Sequence, residues 1–314
     1  MTVVQARCCS SAASAFLLVA GAALARPDPS SSELRGYSGG EDSPVEVTFS
    51  ADPRLTFRGD IRGSDADVLV SNNGFDARLN WTVNPDFRLV FGVGGEVSYY
   101  DWGGSSAVFP GASDSFEDVY SANVLVVGRH TVRGPWSFIL GGIGRVQGES
   151  GADFGDSVTA GGFVGAGYNF SKSSWIDFGV GVFTRLDDDP LVIPYLNVRF
   201  PISDRVRLEI GGLDLGIVAK TSETVEVALR GRVEYRDFRL DDSRPAWRDG
   251  IVRDLRVPVG LEVAWKPVAG LTLAVEGGVA VYQEYEFLDD DGDHLSDVET
   301  EPAPYIGLRI EYTF

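Results

Sequence analysis

The sequence is short of the residues that carry most protein chemistry. Cysteine occurs only as Cys8 and Cys9, histidine only as His130 and His294, and lysine only as Lys172, Lys220 and Lys266. Both cysteines lie inside the expected leader described below, so the mature chain is expected to hold neither a disulfide scaffold nor a thiolate metal site. No run of about twenty apolar residues occurs, which excludes a membrane-spanning helix. Acidic residues outnumber basic ones, 46 to 27, for a formal net charge of −19. Nucleic acid is thereby excluded as a partner, because a basic footprint is its first requirement. The chain is not a disordered acidic tail either: its 18 Phe, 11 Tyr and 6 Trp run the whole length.

Residues 1–25 read as a secretory signal peptide. Arg7 gives a positive start, Ala12 to Leu24 an apolar stretch, and Ala23-Leu24-Ala25 a small-x-small cleavage site. Residues 26–44, rich in Pro, Ser and Gly, read as a flexible N-terminal linker. Residues 45–314 form the remaining domain.

That domain alternates with period two. From Phe75 to Val83 the odd positions are apolar (Phe75, Ala77, Leu79, Trp81, Val83) and the even ones polar (Asp76, Arg78, Asn80, Thr82). The same pattern follows the turn at Asn84-Pro85-Asp86, and returns in Val225–Arg236 and Leu271–Tyr285. Short turns alternate with longer polar loops. The pattern predicts an all-β fold, a transmembrane antiparallel up-and-down β-barrel of about fourteen strands. Twelve is the alternative, because Gly211-Gly212 reads either as a bulge or as a turn. A soluble sandwich would have shorter strands and no charged residues at strand centres.

Aromatic residues on the apolar face collect near the strand ends. Trp81, Trp136, Trp265 and Tyr312 lie by short turns, while Tyr99, Tyr120 and Tyr285 lie by long loops. They are expected to form two girdles where lipid meets water. The last strand places Ile306, Leu308, Ile310, Tyr312 and Phe314 on one face, with Gly307, Arg309, Glu311 and Thr313 between them. Ending in Phe with an apolar residue at every second place back, it resembles the terminal strand of bacterial outer-membrane barrels. The resemblance implies a bacterial outer-membrane location. It also implies outer-membrane lipid as surroundings and the barrel-assembly machinery as the partner during insertion.

By parity the interior is charged. Its predicted cations are Arg78, Arg88, Arg129, Arg145, Arg185, Arg199, Arg205, Arg207, Arg230, Arg232, Arg236, Arg256 and Arg309. Its predicted anions are Glu96, Asp177, Glu209, Glu226, Glu234, Glu262, Glu276 and Glu311. Two uses follow: a lattice that fills and stiffens the lumen, or a wet channel that screens small solutes by size and charge. The reading taken is a passive or weakly selective porin-like channel. Its alternative is a plugged structural or surface-interaction barrel with acidic loops.

One acidic loop, Asp289 to Glu299, resembles the calcium loops of thrombospondin type 3 and dockerin repeats. Asp289, Asp291, Asp293 and Asp297 stand at the first, third, fifth and ninth positions, so the resemblance implies a Ca²⁺ site there. His294 replaces the turn glycine and Thr300 the closing Glu, both departures from that pattern. No other cofactor is implied. His130 falls on the lipid-facing side and His294 in the acidic loop, so no Ser–His catalytic set is read and the chain is not expected to be an enzyme.

Overall fold

The computed structural model describes residues 44–104, 108, 115–132, 134–242 and 249–314. The leader and linker expected over 1–44 lie outside the described residues, Pro44 excepted. Long strands dominate, each carrying the alternation that made it legible. They run β1 (Val45–Asp60), β2 (Asp67–Asn84), β3 (Phe87–Gly103), β4 (Asp118–Thr131), β5 (Trp136–Glu149), β6 (Val158–Asn169), β7 (Trp175–Arg185) and β8 (Asp188–Pro201). After these come β9 (Val206–Gly211), β10 (Asp214–Lys220), β11 (Val225–Arg232), β12 (Glu234–Arg239), β13 (Ile251–Val268), β14 (Leu271–Leu288), β15 (His294–Glu299) and β16 (Ala303–Thr313).

Sequential neighbours pair antiparallel, and β16 pairs with β1, closing a fourteen-stranded barrel. Sixteen segments make fourteen staves because two staves are interrupted. β11 and β12 keep one register against β13 across Val233, and β15 and β16 keep one register against β14. The glycine pair at 211–212 is a turn, with Gly212 at φ +57°, so β9 and β10 are separate strands.

Outward side chains form an apolar belt. Phe75, Phe138, Leu140, Val164, Leu261 and Val275 are exposed on it. Trp81, Trp136, Trp265, Tyr99, Tyr120 and Tyr312 also point out, and Trp136 meets Tyr168 edge-to-face at 4.8 Å. Tyr285 corrects the girdle reading: it is 0 % exposed, deep inside the molecule. β14 carries one extra residue, Val281, where its register against β13 shifts between Ala280 and Tyr282. Such a bulge reverses the parity of everything beyond it. Gln283, Tyr285 and Phe287 therefore face inward, not outward.

Two features depart from a plain barrel. First, β12 leaves the wall. All six of its residues are buried, as are the first six of β13, whereas wall strands bury one face only. The far end of β12 reaches across to β5, with Arg239 opposite Gly148. Secondly, β9 and β10 are only six and seven residues long. Above their turn, β8 has β7 on one side and, among the described residues, no strand on the other.

Inside, β5–β8 form a smooth wall because glycines make room for aromatic rings. A Cβ on Gly179 would stand 2.2 Å from the Val164 carbonyl oxygen and 2.5 Å from the Tyr195 ring, and one on Gly161 would stand 2.0 Å from the Phe183 ring. Gly142, by contrast, has nothing nearer than 3.5 Å. Gly179→Ala and Gly161→Ala are each expected to cost about 1–3 kcal/mol. Gly142→Ala should be close to silent, read by urea unfolding of the refolded proteins in detergent.

Candidate functional site: a self-plugged, charged lumen

The sheet formed by β12 and the upper ends of β13 and β14 crosses the barrel near the long-loop rim. One of its faces packs on the inner wall of β1–β4. Val68, Val70, Tyr100, Trp102 and Val119 from the wall and Phe238, Val252, Tyr285 and Phe287 from the crossing sheet make one buried cluster. Its rings meet at close range: Tyr100 with Phe116 at 4.9 Å, Trp102 with Tyr285 at 5.0 Å and Phe116 with Phe238 at 5.2 Å. The upper lumen is thus filled with a protein core, not water.

Within that core sits a fully enclosed polar centre. Arg256 Nη1 donates to Thr56 Oγ1 (3.2 Å) and Asn72 Oδ1 (3.1 Å), and Nη2 to Asp254 (3.0 Å). The Gln283 amide, with its oxygen turned to the guanidinium, accepts from Arg256 Nη2 at 2.8 Å, and Tyr100 donates to Asp254 at 3.1 Å. A buried ion pair is tolerated only when its remaining hydrogen bonds are made, and here they are.

Below the plug lies a cavity of about 300 Å³. Its walls are the ionic lattice. Arg236 of β12 pairs with Glu96 of β3 at 2.7 Å, and Arg54 of β1 pairs with Glu234 of β12. Arg54 also reaches Glu276 at 3.5 Å, and Arg232 pairs with Glu276 too. Arg230 touches Glu209, Asp214 and Glu262 at 3.5, 3.4 and 3.2 Å, while Arg309 meets Glu262 at 2.9 Å. Arg78 pairs with Asp76 at 2.8 Å. Nearer the short turns, Arg207 joins Glu209 and Glu226 at 2.7 and 2.9 Å, and Arg199 lies 3.8 Å from Glu209. Arg129 pairs with Asp177 beneath Tyr195 and the glycine-smoothed wall.

The residues read as luminal therefore divide. Arg78, Glu96, Arg145, Glu209, Arg230, Arg232, Glu234, Arg236, Glu262, Glu276, Arg309 and Glu311 line the cavity. Arg129, Asp177, Arg199, Arg207, Glu226 and the half-buried Arg88 lie outside it. Arg256 is sealed in the plug, Arg185 reaches Tyr235, and Arg205 is exposed at a short turn. Arg54 and Asn72 were missed, yet β1 carries the signal: Glu46, Thr48, Ser50, Asp52 and Arg54 alternate with apolar residues.

The calcium reading needs correction. The β14–β15 connection is a tight turn, with Asp289 N–H bonded to Asp293 O at 3.0 Å and Gly292 at φ +82°. The Asp289 carboxylate accepts from the N–H groups of Asp291 (3.1 Å) and Asp293 (2.8 Å), and Asp297 is already in β15, 3.4 Å from His294. Strand pairing has taken up the chain that a calcium loop must wrap, so Asp289, Asp291, Asp293 and Asp297 do not converge. Among the described residues no three acidic or histidine side chains gather as a metal site. His130 sits by Phe87 at 6.4 Å.

Arg256→Ala leaves Asp254 buried without its guanidinium. It is expected to destabilise the refolded barrel by about 3–5 kcal/mol, against less than half that for the exposed Arg62→Ala, in the same urea titration.

No family model and no curated protein matches the chain. Solved structures similar in shape include the Pseudomonas putida toluene transporter TodX (13% identity, 93% of each chain covered, TM-score 0.43). An outer membrane channel from Pseudomonas putida F1 aligns over 88% of this chain and 99% of its own (11% identity, TM-score 0.43). LpxR from Salmonella typhimurium aligns over 85% and 99% (10% identity, TM-score 0.35). In architecture the chain is a closed barrel of the bacterial outer-membrane type.

Proposed function

We propose that the protein is a restricted outer-membrane channel for small solutes, plugged at its long-loop mouth by part of its own wall. One observation carries the reading. β12 is turned into the lumen and tied across it by ion pairs to β1 and β3 and by the Gln147–Asp237 hydrogen bond (3.0 Å) to β5. The charged cavity beneath is the remaining space, and its lining of seven arginines and nine carboxylates suits small polar solutes over large ones. In such barrels short turns face the periplasm and long loops the outside. The plug then lies outermost and the cavity serves the periplasmic side. Export would use the leader over 1–25, and the Ile306–Phe314 face, which flanks the β1 seam, is what the assembly machinery would read during insertion.

The test is single-channel recording in planar bilayers. The wild-type protein should show small or rare conductance steps. Arg54→Ala combined with Arg236→Ala, which cuts the Arg54–Glu234 and Arg236–Glu96 ties of β12 to β1 and β3, should raise the step size at least about threefold, as removal of a luminal constriction does. Large, steady wild-type steps would overturn the plug, and a double variant as silent as wild type would overturn the channel.

A further inference from the structure

The barrel wall has a break at membrane depth. A strand needs about nine to eleven residues to cross the hydrocarbon, and β9 and β10 have six and seven. Their turn at 211–214 therefore ends partway through the bilayer. Above it the free edge of β8 runs along Pro190, Leu191, Val192, Ile193, Pro194 and Tyr195, and Val192 points outward into the apolar belt. On the other side of the break the stave has turned inward as β12.

The edge of β8 is chemically prepared for this. Gly212 N–H bonds to Leu196 O, and Ile202 N–H to Val206 O, so even-numbered residues of β8 direct their backbone groups toward β9. Above the β9–β10 turn those positions are 190, 192 and 194, and two of the three are proline. Proline has no N–H to leave unpaired. An unpaired donor in hydrocarbon costs several kcal/mol, and the sequence removes it at both places.

An apolar cluster closes the break: Tyr235 and Leu255 with Leu213, Val233 and Tyr282 packed against them. Leu213, Val233 and Tyr235 also line the charged cavity. The same three side chains thus belong both to the cluster and to the cavity wall. The cluster is held from above by Arg253–Asp188 (2.7 Å) and by Arg185 on the Tyr235 hydroxyl (3.3 Å). Inside the cavity, Arg145 is the arginine that makes neither an ion pair nor a hydrogen bond with a described residue, whereas every other arginine of the lining has a carboxylate partner.

We propose that this break is a lateral portal between the cavity and the membrane, and that it admits a small anionic amphiphile. The anionic head is held at Arg145 and the apolar tail leaves past Leu213 and Tyr235 into lipid. The proposal deepens the channel reading and rests on the mouth being plugged, which leaves the side as the way out. A charged chamber with an apolar door fits a molecule that has both characters. A sugar has no use for the door, and a pure hydrocarbon has none for the chamber.

The test is photolabelling of the purified protein in nanodiscs with decanoate carrying a diazirine at its tail end, mapped by mass spectrometry. Label is expected on the segments around Leu213 and Val233–Tyr235, competed by decanoate and not by decanol. Arg145→Gln should lower it about tenfold, the worth of one charge-assisted hydrogen bond. Leu213→Trp, which fills the door, should abolish it. Label spread around the outer belt and uncompeted, label confined to the long-loop rim, or label indifferent to Arg145→Gln would each overturn the portal. Because labelling needs no ion flow, a silent bilayer recording with positive labelling removes the channel and keeps the binding route, and the reverse result removes the portal alone.

Discussion

In hydrocarbon, a backbone N–H or C=O without a partner has no water to fall back on. That constraint governs this molecule from its seam to its irregularities. Pairing of β16 with β1 removes the edge an open sheet would leave in lipid. Shortening β9 and β10 creates two new edges, and the protein disposes of them differently. The edge on β8 stays in the wall and is relieved of two of its three donors by Pro190 and Pro194, leaving that of Val192. The edge on β12 is carried into the lumen, where its backbone meets β5 and its side chains meet charged partners. The plug and the wall break are two halves of one structural event.

Inward folding needs something to fold onto, and the interior supplies two kinds of surface. Toward β1–β4 the contact is apolar and aromatic, with Tyr100, Trp102, Phe116 and Tyr285 in one cluster. Toward the cavity it is ionic, through Arg54–Glu234 and Arg236–Glu96. Burial of rings supplies most of the stabilisation, since buried ion pairs gain little over an apolar replacement. What the pairs contribute is register: Glu234 and Arg236 fit only one placement of β12 across the lumen. The glycines of β5–β8 complete the arrangement by letting Phe183 and Tyr195 lie flat against the wall.

Much of this was legible from alternation alone. Parity gave the strands, the outward belt, the outward placement of six of the seven aromatic residues assigned to the girdles and that of the terminal face from Ile306 to Phe314. It failed where one residue was inserted. Val281 costs β14 its phase, and Tyr285 moves from the expected surface to the centre of the core. β12 reads from sequence as a continuation of β11 because the alternation runs on from Val225 to Arg236 and breaks only at Asp237-Phe238. Whether a stave bends inward is decided by whether its neighbour is long enough to pair with it. That is a relation between β10 and β12 that no single strand records. The acidic loop misled for a related reason: aspartates spaced as in a calcium loop were already committed to a hairpin turn and a strand.

The choice of cation follows from the same crowding. Only three of the 27 basic residues are lysine, and Lys220 and Lys266 stand at short turns. A guanidinium can bridge carboxylates on different staves, as Arg230 does with Glu209, Asp214 and Glu262, where an ammonium is a point charge on one stem. Such a bridge fixes several strands at once, four in the case of Arg230, and sets opposite charges within a few ångströms of each other. A lumen built this way is densely charged, and with nine carboxylates against seven arginines around the cavity most of its charge is met by a partner of opposite sign. The proposed binding route turns on the exception: among the arginines of the lining, Arg145 alone makes neither an ion pair nor a hydrogen bond with a described residue, and in that route it is the group left to meet an anionic head.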